Sequence, residues 1–217
     1  MKYREKHISN KKCRTETMLA IIKIAAVSVC LGTVLCMTAF FARADSIRPC
    51  VLRLHVLANS DSPEDQELKL KVRDRLLECG SALFCSADSL CDAEELVNEN
   101  IAALESAARE EIAKNGFDYS VSVTLEKSRF NTRRYGDDLT LPAGIYDAVK
   151  VKIGSGEGHN WWCVMFPPVC VGAASDGKKM EDVLNEEQLD VVSNGSKYRI
   201  GFKSVEIFEE IKEFLSK

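Results

Sequence analysis

Two cysteines in the C-terminal part of this 217-residue sequence have a spacing that allows a covalent link. Cys163 and Cys170 flank Pro167-Pro168, where a strand must end because proline cannot donate to a ladder. A disulfide across so short a loop would stabilise the fold by roughly 2–3 kcal/mol. The spacing is not the C-x-x-C of zinc ribbons and thioredoxin-type sites. The sequence leaves open a Cys163–Cys170 disulfide, other pairings with Cys50, Cys79, Cys85 and Cys91, free buried thiols, and a thiol oxidoreductase that uses Cys163 and Cys170.

Both tryptophans of the sequence are adjacent, within an apolar run that is typical of a strand. In a strand, neighbouring side chains point to opposite faces of the sheet. We therefore expect one of Trp161 and Trp162 in the core and the other near the surface, where aromatic side chains often anchor a protein partner. Both are candidates for partner contact, and simple core packing of the segment is the alternative.

The remaining titratable groups do not form a catalytic or metal-binding pattern. His55 lies in an apolar run and His159 lies beside the tryptophans, positions that favour packed or hydrogen-bonded histidines. Acidic residues between positions 61 and 67 stand at a predicted helix start, where they interact favourably with the helix dipole. The motifs H-E-x-x-H and G-x-S-x-G are absent from the sequence. We therefore predict no catalytic residue, no metal site and no cofactor, with a hydrolase that uses His159 as an alternative.

The elements that position these groups begin with a strand and a helix. Residues 51–57 are rich in branched apolar side chains, which predicts a mostly buried strand. A turn, Asn59-Ser60-Asp61, separates this strand from a helix that Ser62 is placed to cap. We include Asn59, Ser60 and Asp61 among the candidates, either as residues that contact a partner or as residues that support such a contact.

A second helix and three strands are predicted in the middle of the sequence. The helix is expected to begin near Asp92, with Glu95 as its capping acid, and to stop at Asn115-Gly116. Alternating or branched apolar residues then predict strands at 119–125, 145–153 and 161–166. Because a strand and not a helix follows the glycine-rich segment 154–158, we interpret that segment as a hairpin loop and not as a phosphate-binding loop.

The C-terminal part predicts a surface segment followed by a helix. Residues 172–196 are polar and rich in turn formers, with a short helix around residues 181–189. An amphipathic helix from about Ser204 is expected to bury its apolar side, formed by Val205, Phe208, Ile211 and Phe214 or Leu215. The order βααβββα predicts a single domain of the α+β or mixed α/β class.

The N-terminal region has the hydropathy and charge of an export segment. Residues 24–42 carry no charge and are long enough to cross a bilayer, and a basic head precedes them. The sequence Ala42-Arg43-Ala44 places small residues as a signal-peptidase site requires. We divide the chain into residues 1–44, a basic head plus signal peptide or membrane anchor, and 45–217, an exported domain. Cleavage after Ala44 and retention as an anchor both stay open.

The charge of these two regions differs in sign. Of the 29 Lys and Arg and the 33 Asp and Glu in the sequence, residues 1–44 contain eight and two. Residues 45–217 therefore contain 21 basic and 31 acidic side chains, a net charge of −10. Affinity for nucleic acids comes largely from Lys and Arg, so we predict no nucleic-acid partner.

Two segments together resemble a known protein family. The first extends from Leu52 to Asp74 (LRLHVLANSDSPEDQELKLKVRD) and the second from Asn160 to Cys170 (NWWCVMFPPVC). Tyr135-Gly136, the segment 141–146 and the N-terminal export segment fit the same family. Over roughly residues 50–170 the chain is similar to the stage II sporulation protein R family of endospore-forming bacteria.

The resemblance implies a signalling ligand and not an enzyme. Members of this family are exported from the forespore into the space between the two membranes that separate it from the mother cell. There they activate a membrane-embedded aspartic protease of the mother cell, which processes the precursor of sigma-E. The resemblance thus implies this protease as the partner, with the membrane as a further contact through residues 24–42 if that segment is retained. The alternatives are an extracytoplasmic enzyme, either a thiol oxidoreductase or a hydrolase, and a structural wall-associated module.

Overall fold

A computed structural model describes residues 2–136, 139–167 and 179–216, and the chain forms two compact units, 1–42 and 43–217. The first helix, α1 (Lys2–Ile47), contributes the whole described part of the first unit. From residue 16 onward, α1 is the one helix in the described ranges that is long and apolar enough to cross a membrane. Its large apolar side chains are exposed, for example Ile24 at 67% and Val29 at 69%. Length and composition therefore fit a membrane span or a signal segment.

The second unit begins with the last turn of α1, which packs within that unit. Ala44 and Ile47 are buried, and Arg43 Nε lies 3.2 Å from a carboxylate oxygen of Glu187. Gln188 Nε2 donates a hydrogen bond of 2.7 Å to the carbonyl oxygen of Ser46. This unit starts two residues before the predicted boundary at position 45.

Five helices and six strands are described in the second unit after α1. In chain order they are β1 (Leu52–Leu57), α2 (Pro63–Leu83), α3 (Leu90–Lys114), β2 (Val121–Phe130), β3 (Arg133–Tyr135), β4 (Leu139–Leu141), β5 (Gly144–Ile153), β6 (Asn160–Phe166), the one-turn helix α4 (Met180–Val183), α5 (Glu186–Ser193) and α6 (Arg199–Ser216). Helices combined with a mixed sheet confirm the predicted α+β class, and the predicted order is present within this longer list. The sequence did not predict the small β3–β4 pair, and it predicted one helix where α4 and α5 lie.

The four-stranded sheet has the order β2-β5-β1-β6. Strand β1 is parallel to β5 and antiparallel to β6, and β2 is antiparallel to β5. The prediction that residues 154–158 form a hairpin loop is therefore wrong, because β5 and β6 do not pair with each other. The segment instead crosses the end of β1, which lies between them. Sequence periodicity cannot show this, because a crossing loop and a hairpin loop both join two strands.

Helices α2 and α3 pack against each other and against one face of this sheet. The core between the two layers is apolar and is formed by alternate residues of the strands together with one stripe from each helix. Its fully buried members include Leu54, Val56, Val72, Leu76, Val97, Ala108, Val149 and Val151. On the other side of the domain, α5 contacts β4 and α6 contacts β5.

The start of α3 differs from the prediction. Ser89, three residues before Asp92, is the N-cap, and its hydroxyl accepts a hydrogen bond from the backbone N–H of Asp92. The Asp92 carboxylate in turn accepts a hydrogen bond of 2.9 Å from the Ser89 N–H. Asp92 is thus the capping acid in place of Glu95, and the helix gains one turn.

The C-terminal helix α6 buries Val205 as predicted, but it does not bury the other residues that were predicted with it. Phe202, Val205 and Glu209 face the domain, and Glu209 Oε1 lies 2.9 Å from Arg48 Nη2. By contrast Phe208, Ile211, Phe214 and Leu215 are exposed, so their predicted burial is wrong. The apolar periodicity predicted the wrong buried residues because the buried stripe contains a glutamate, which Arg48 compensates. A second and more apolar stripe faces outward.

Removing the Ser89 cap should destabilise the domain. Ser89→Ala deletes the acceptor for the Asp92 N–H, so we expect the free energy of unfolding to fall by about 1 kcal/mol. Chemical denaturation of the full chain in detergent, followed by near-ultraviolet circular dichroism, measures this change. Ser106→Ala, at an exposed position inside α3, is the matched control and should leave stability nearly unchanged. Equal stability of the two variants would contradict the assigned cap.

Candidate functional site

Strand β6 lies at one edge of the sheet and carries both tryptophans. It pairs with β1 along one side, and no strand of the described ranges pairs with its outer side. An unpaired strand edge exposes backbone donors and acceptors that another chain can bind. We define the tryptophan edge as β6 together with the side chains of His55, Arg73, Trp161 and Trp162.

Trp161 lies on the helix side of the sheet and is 36% exposed. The guanidinium carbon of Arg73, on α2, lies 4.4 Å from the centre of the indole ring. Arg73 Nε also donates a hydrogen bond of 2.8 Å to Asp74. A cation over an indole face is a favourable arrangement, and it holds the ring while leaving part of it open to solvent.

Trp162 lies on the opposite face, as the alternation along a strand predicts. Its ring stacks on His55 at 3.8 Å with an interplanar angle of 17°, and the Phe130 ring meets it edge-on at 4.9 Å. His55 is 7% exposed. Burial lowers the pKa of His55 to about 4, an effect that the nearby Asn160 side chain partly opposes. His55 is therefore neutral at pH 7 and acts as an aromatic support for Trp162.

Arg53 fixes the position of β6 from within the sheet, and the sequence analysis did not identify it. The side chain is fully buried, and its guanidinium carbon lies 4.2 Å from the ring centre of Phe130 and 5.0 Å from that of Tyr146. Its Nε donates a hydrogen bond of 3.0 Å to the carbonyl oxygen of Cys163, and Nη2 contacts the hydroxyl of Tyr135. The only signal in the sequence was one basic residue inside an apolar strand.

Burial lowers the pKa of Arg53, and the neighbouring Tyr135 and Tyr146 oppose that effect. Arginine keeps its charge in proteins even when buried, because its intrinsic pKa is so high. Aromatic rings and a carbonyl oxygen of β6 thus compensate this cation. The edge strand is consequently attached to β1 by a side chain as well as by the backbone ladder.

The turn Asn59-Ser60-Asp61 holds the loop that leads into β6. Asn59 Oδ1 accepts a hydrogen bond of 3.0 Å from the N–H of Ser155, and the Asn59 carbonyl accepts one of 2.6 Å from the Ser155 hydroxyl. On the other side, Asp65 Oδ2 accepts hydrogen bonds from Asn59 Nδ2 at 2.8 Å and from the Ser60 hydroxyl at 2.5 Å. These hydrogen bonds together outweigh burial, so the pKa of Asp65 is lowered.

Asp61 adds a further contact between the turn and the loop, at the start of β6. Its Oδ1 accepts a hydrogen bond of 2.6 Å from the N–H of His159 and lies 2.5 Å from His159 Nδ1. Hydrogen bonds from His159 lower the pKa of Asp61. Lys69 Nζ, on α2, donates a hydrogen bond of 2.9 Å to the carbonyl oxygen of His159. The three turn residues therefore have a visible supporting role, and their contact with a partner stays a prediction.

The cysteines divide into two groups. Cys163 is 1% exposed and disulfide-bonded, and Cys170, the other member of the predicted pair, lies outside the described residues. The free thiols of the described part of the second unit are those of Cys50, Cys79, Cys85 and Cys91. Among the residues that the structure describes, no group of three or more His, Cys, Asp or Glu side chains is arranged to hold a metal ion.

Comparison with known proteins shows that these features lie in a part of the chain that matches a known protein family. The sequence profile of the family described as Stage II sporulation protein R (spore_II_R) matches residues 48–176, which contain β1 to β6 and the whole tryptophan edge. A curated relative, Stage II sporulation protein R of Bacillus subtilis (strain 168), is 35% identical over 136 residues. That alignment covers 63% of this chain and 60% of the relative, less than two thirds of its length. No solved structure matches the chain.

A methyl group at Gly158 should disrupt the packing of the loop 154–158 against the turn Asn59-Ser60-Asp61. A Cβ atom there would lie 2.2 Å from the carbonyl oxygen of Ser60, and backbone cannot move aside as a flexible side chain can. We expect Gly158→Ala to lower the free energy of unfolding by about 1–3 kcal/mol, measured by chemical denaturation. Ser155→Ala, which removes one hydrogen bond and adds no clash, should cost about 1 kcal/mol or less. A Gly158→Ala variant as stable as the wild type would show that the loop is not held in place.

The lowered pKa of His55 predicts a pH dependence of stability. Between the ordinary histidine value of 6.5 and about 4, the unfolded chain binds a proton at His55 that the folded chain does not. The free energy of unfolding should therefore fall as the pH is lowered through this range. In His55→Phe, which keeps a ring against Trp162, this contribution should disappear, while His159→Phe should retain it. Superimposable stability profiles of the wild type and His55→Phe would contradict the burial of a neutral His55.

Proposed function

This chain belongs to the stage II sporulation protein R family, and we propose that it activates a membrane-embedded protease as an exported signal. In the proposed pathway the forespore exports the protein, the partner is an aspartic protease in the mother-cell membrane, and the protease processes the precursor of sigma-E. The second unit would work in the space between the two membranes, with residues 24–42 acting as a signal peptide or as an anchor.

The observation that carries this proposal is the position of the tryptophan edge. Two large aromatic rings lie on the two faces of an edge strand, Trp161 beneath Arg73 and Trp162 on His55. Rings held in this way lose little conformational entropy when a partner covers them, which is why aromatic and arginine side chains often dominate binding energies. The strand edge beside them can add backbone hydrogen bonds to the same contact.

Activation by binding requires that the ligand favour one state of the protease. A ligand with equal affinity for the inactive and active states shifts nothing, however tightly it binds. We propose that the tryptophan edge fits only the active or dimeric arrangement of the protease. The hydrogen bonds between the loop and the turn Asn59-Ser60-Asp61 would preserve the shape of that edge in the unbound protein. Little ordering would then be needed on binding.

The contacts of Cys163 favour a structural role over the enzymatic alternative. Its sulfur is buried and already disulfide-bonded, so it does not present a thiolate to a substrate. A Cys163→Ser/Cys170→Ser variant that still activates the protease would exclude a thiol oxidoreductase as the signalling activity. Loss of activation together with loss of the folded state would instead show that the cysteines stabilise the domain.

Reconstitution of the full chain with the protease and the sigma-E precursor tests the proposal. We expect the wild type to start precursor cleavage, and Trp161→Ala to reduce the initial rate at least about tenfold, as loss of a central aromatic contact does. Trp161→Phe should recover part of the rate because it keeps an apolar ring under Arg73. Ile145→Ala, which changes another exposed apolar side chain away from β6, is the matched control and should not alter the rate.

Two results would oppose this assignment in different ways. If the wild type leaves the precursor uncleaved when it is added to folded, membrane-embedded protease, the proposed activation is wrong. If the wild type activates but the Trp161→Ala and Trp162→Ala variants do so equally well, with unchanged circular dichroism, the protease contacts another surface.

A further inference from the structure

Helix α6 has a second apolar stripe that the domain does not cover. Ile200, Ile207, Ile211 and Phe214 are 75%, 46%, 51% and 80% exposed. They lie on the side of the helix away from Val205, whose side chain is buried in the domain. A soluble domain rarely leaves a continuous row of large apolar side chains open to water unless something binds there.

The spacing of this row is that of a helix-pairing seam. The seam residues follow one another at intervals of four, three, four and three, and they are Ile200, Ser204, Ile207, Ile211 and Phe214. Such an alternation is the a/d pattern by which two helices interlock side chains. Ser204, the one polar member, donates its hydroxyl to the carbonyl oxygen of Ile200 at 2.9 Å, so it presents no unsatisfied donor to a partner.

The charges beside the seam favour a protein helix over a lipid surface. Helices that lie on anionic membranes carry Lys and Arg on their polar side. Apart from Glu209, which is buried against Arg48, the charged residues of α6 are three glutamates and three basic side chains: Glu206, Glu210, Glu213, Arg199, Lys203 and Lys212. A polar side with no excess of positive charge lacks the attraction that draws such helices to an acidic lipid surface.

We propose that the seam of α6 binds the same seam of a second copy of this chain, in antiparallel orientation. Lys203 and Glu210 flank the seam on one side and are seven residues apart, the equivalent position in successive repeats. When two copies run antiparallel, Lys203 of each faces Glu210 of the other, which gives two opposite-charge pairs related by a two-fold axis. Within one chain Lys203 Nζ lies 2.8 Å from Glu206, so the partner's carboxylate adds to an existing pair.

The same register also brings the apolar side chains of the two copies together. Ile200 of one copy packs against Ile211 of the other, and Ile207 packs against Ser204. A register shifted by one repeat would place Glu210 against Glu210, and a parallel pair would place Lys203 beside the apolar Phe208. Charge therefore selects the antiparallel arrangement. The inference rests on α6 alone and does not depend on the proposed protease activation.

Sedimentation of the full chain in detergent micelles, over a range of protein concentrations, tests for the second copy. We expect a reversible dimer at micromolar concentration. Ile211→Asp should raise its dissociation constant at least about tenfold, because a carboxylate would be buried in the seam. Ile145→Asp adds the same group at an equally exposed isoleucine outside the seam and should leave the dimer intact. A dimer that survives Ile211→Asp would lie on another surface and would overturn the proposal.

Charge reversal tests the antiparallel register. Lys203→Glu and Glu210→Lys should each weaken the dimer about tenfold, since each places like charges together twice, and the double variant should restore the affinity. Additive weakening in the double variant would overturn the antiparallel pairing. A wild type that is monomeric throughout would overturn the second copy as occupant. If that monomer also bound vesicles of anionic lipid more tightly than Ile211→Asp does, a bilayer would be the occupant instead, since both proteins carry residues 24–42. A monomer that still activates the protease would leave the proposed function standing.

Discussion

The crossing of the loop before β6 over the end of β1 is the constraint on which the domain depends. Strand β1 is central only because β5 and β6 lie on its two sides, and the chain can connect them only by passing across its end. Backbone groups in such a crossing lose the ladder partners that a hairpin would supply. The turn after β1 replaces them: Asn59 bonds the loop at Ser155, Asp61 bonds it at His159, and Asp65 holds the turn from the first turn of α2.

A buried cation, Arg53, keeps the edge strand β6 in place. Arg53 projects from β1 into a set of aromatic rings and bonds a carbonyl oxygen of β6. Next to it in the same strand pair, His55 gives up its charge and supports Trp162. Burial therefore has different effects on the charge of these two residues of β1: Arg53 remains charged and His55 becomes neutral. Together they produce a rigid, aromatic edge.

Local sequence signals predicted most elements of this fold and part of its candidate site. The apolar run around β1, the stop at Asn115-Gly116 and the adjacent tryptophans each have a cause within a few residues, so each could be recognised. The start of α3 was misplaced by three residues because Ser89 and Asp92 cap each other and Glu95 also fits the pattern. Arg53 was missed because its partners come from β2, β5 and the β3–β4 pair, far away in sequence.

By itself, the sequence determined the basic and apolar leader, the α+β class, the family and the opposite orientation of Trp161 and Trp162. These properties depend on composition, on period and on motifs that can be compared residue by residue. Only the tertiary structure decided that β6 pairs with β1, that Asn59 to Asp61 support a crossing loop, and which stripe of α6 is buried. Each of these depends on contacts between residues far apart in the chain. Arg48 compensates Glu209 across 161 residues, so a stripe that contains this glutamate as well as Phe202 and Val205 can face the domain while the more apolar stripe faces outward.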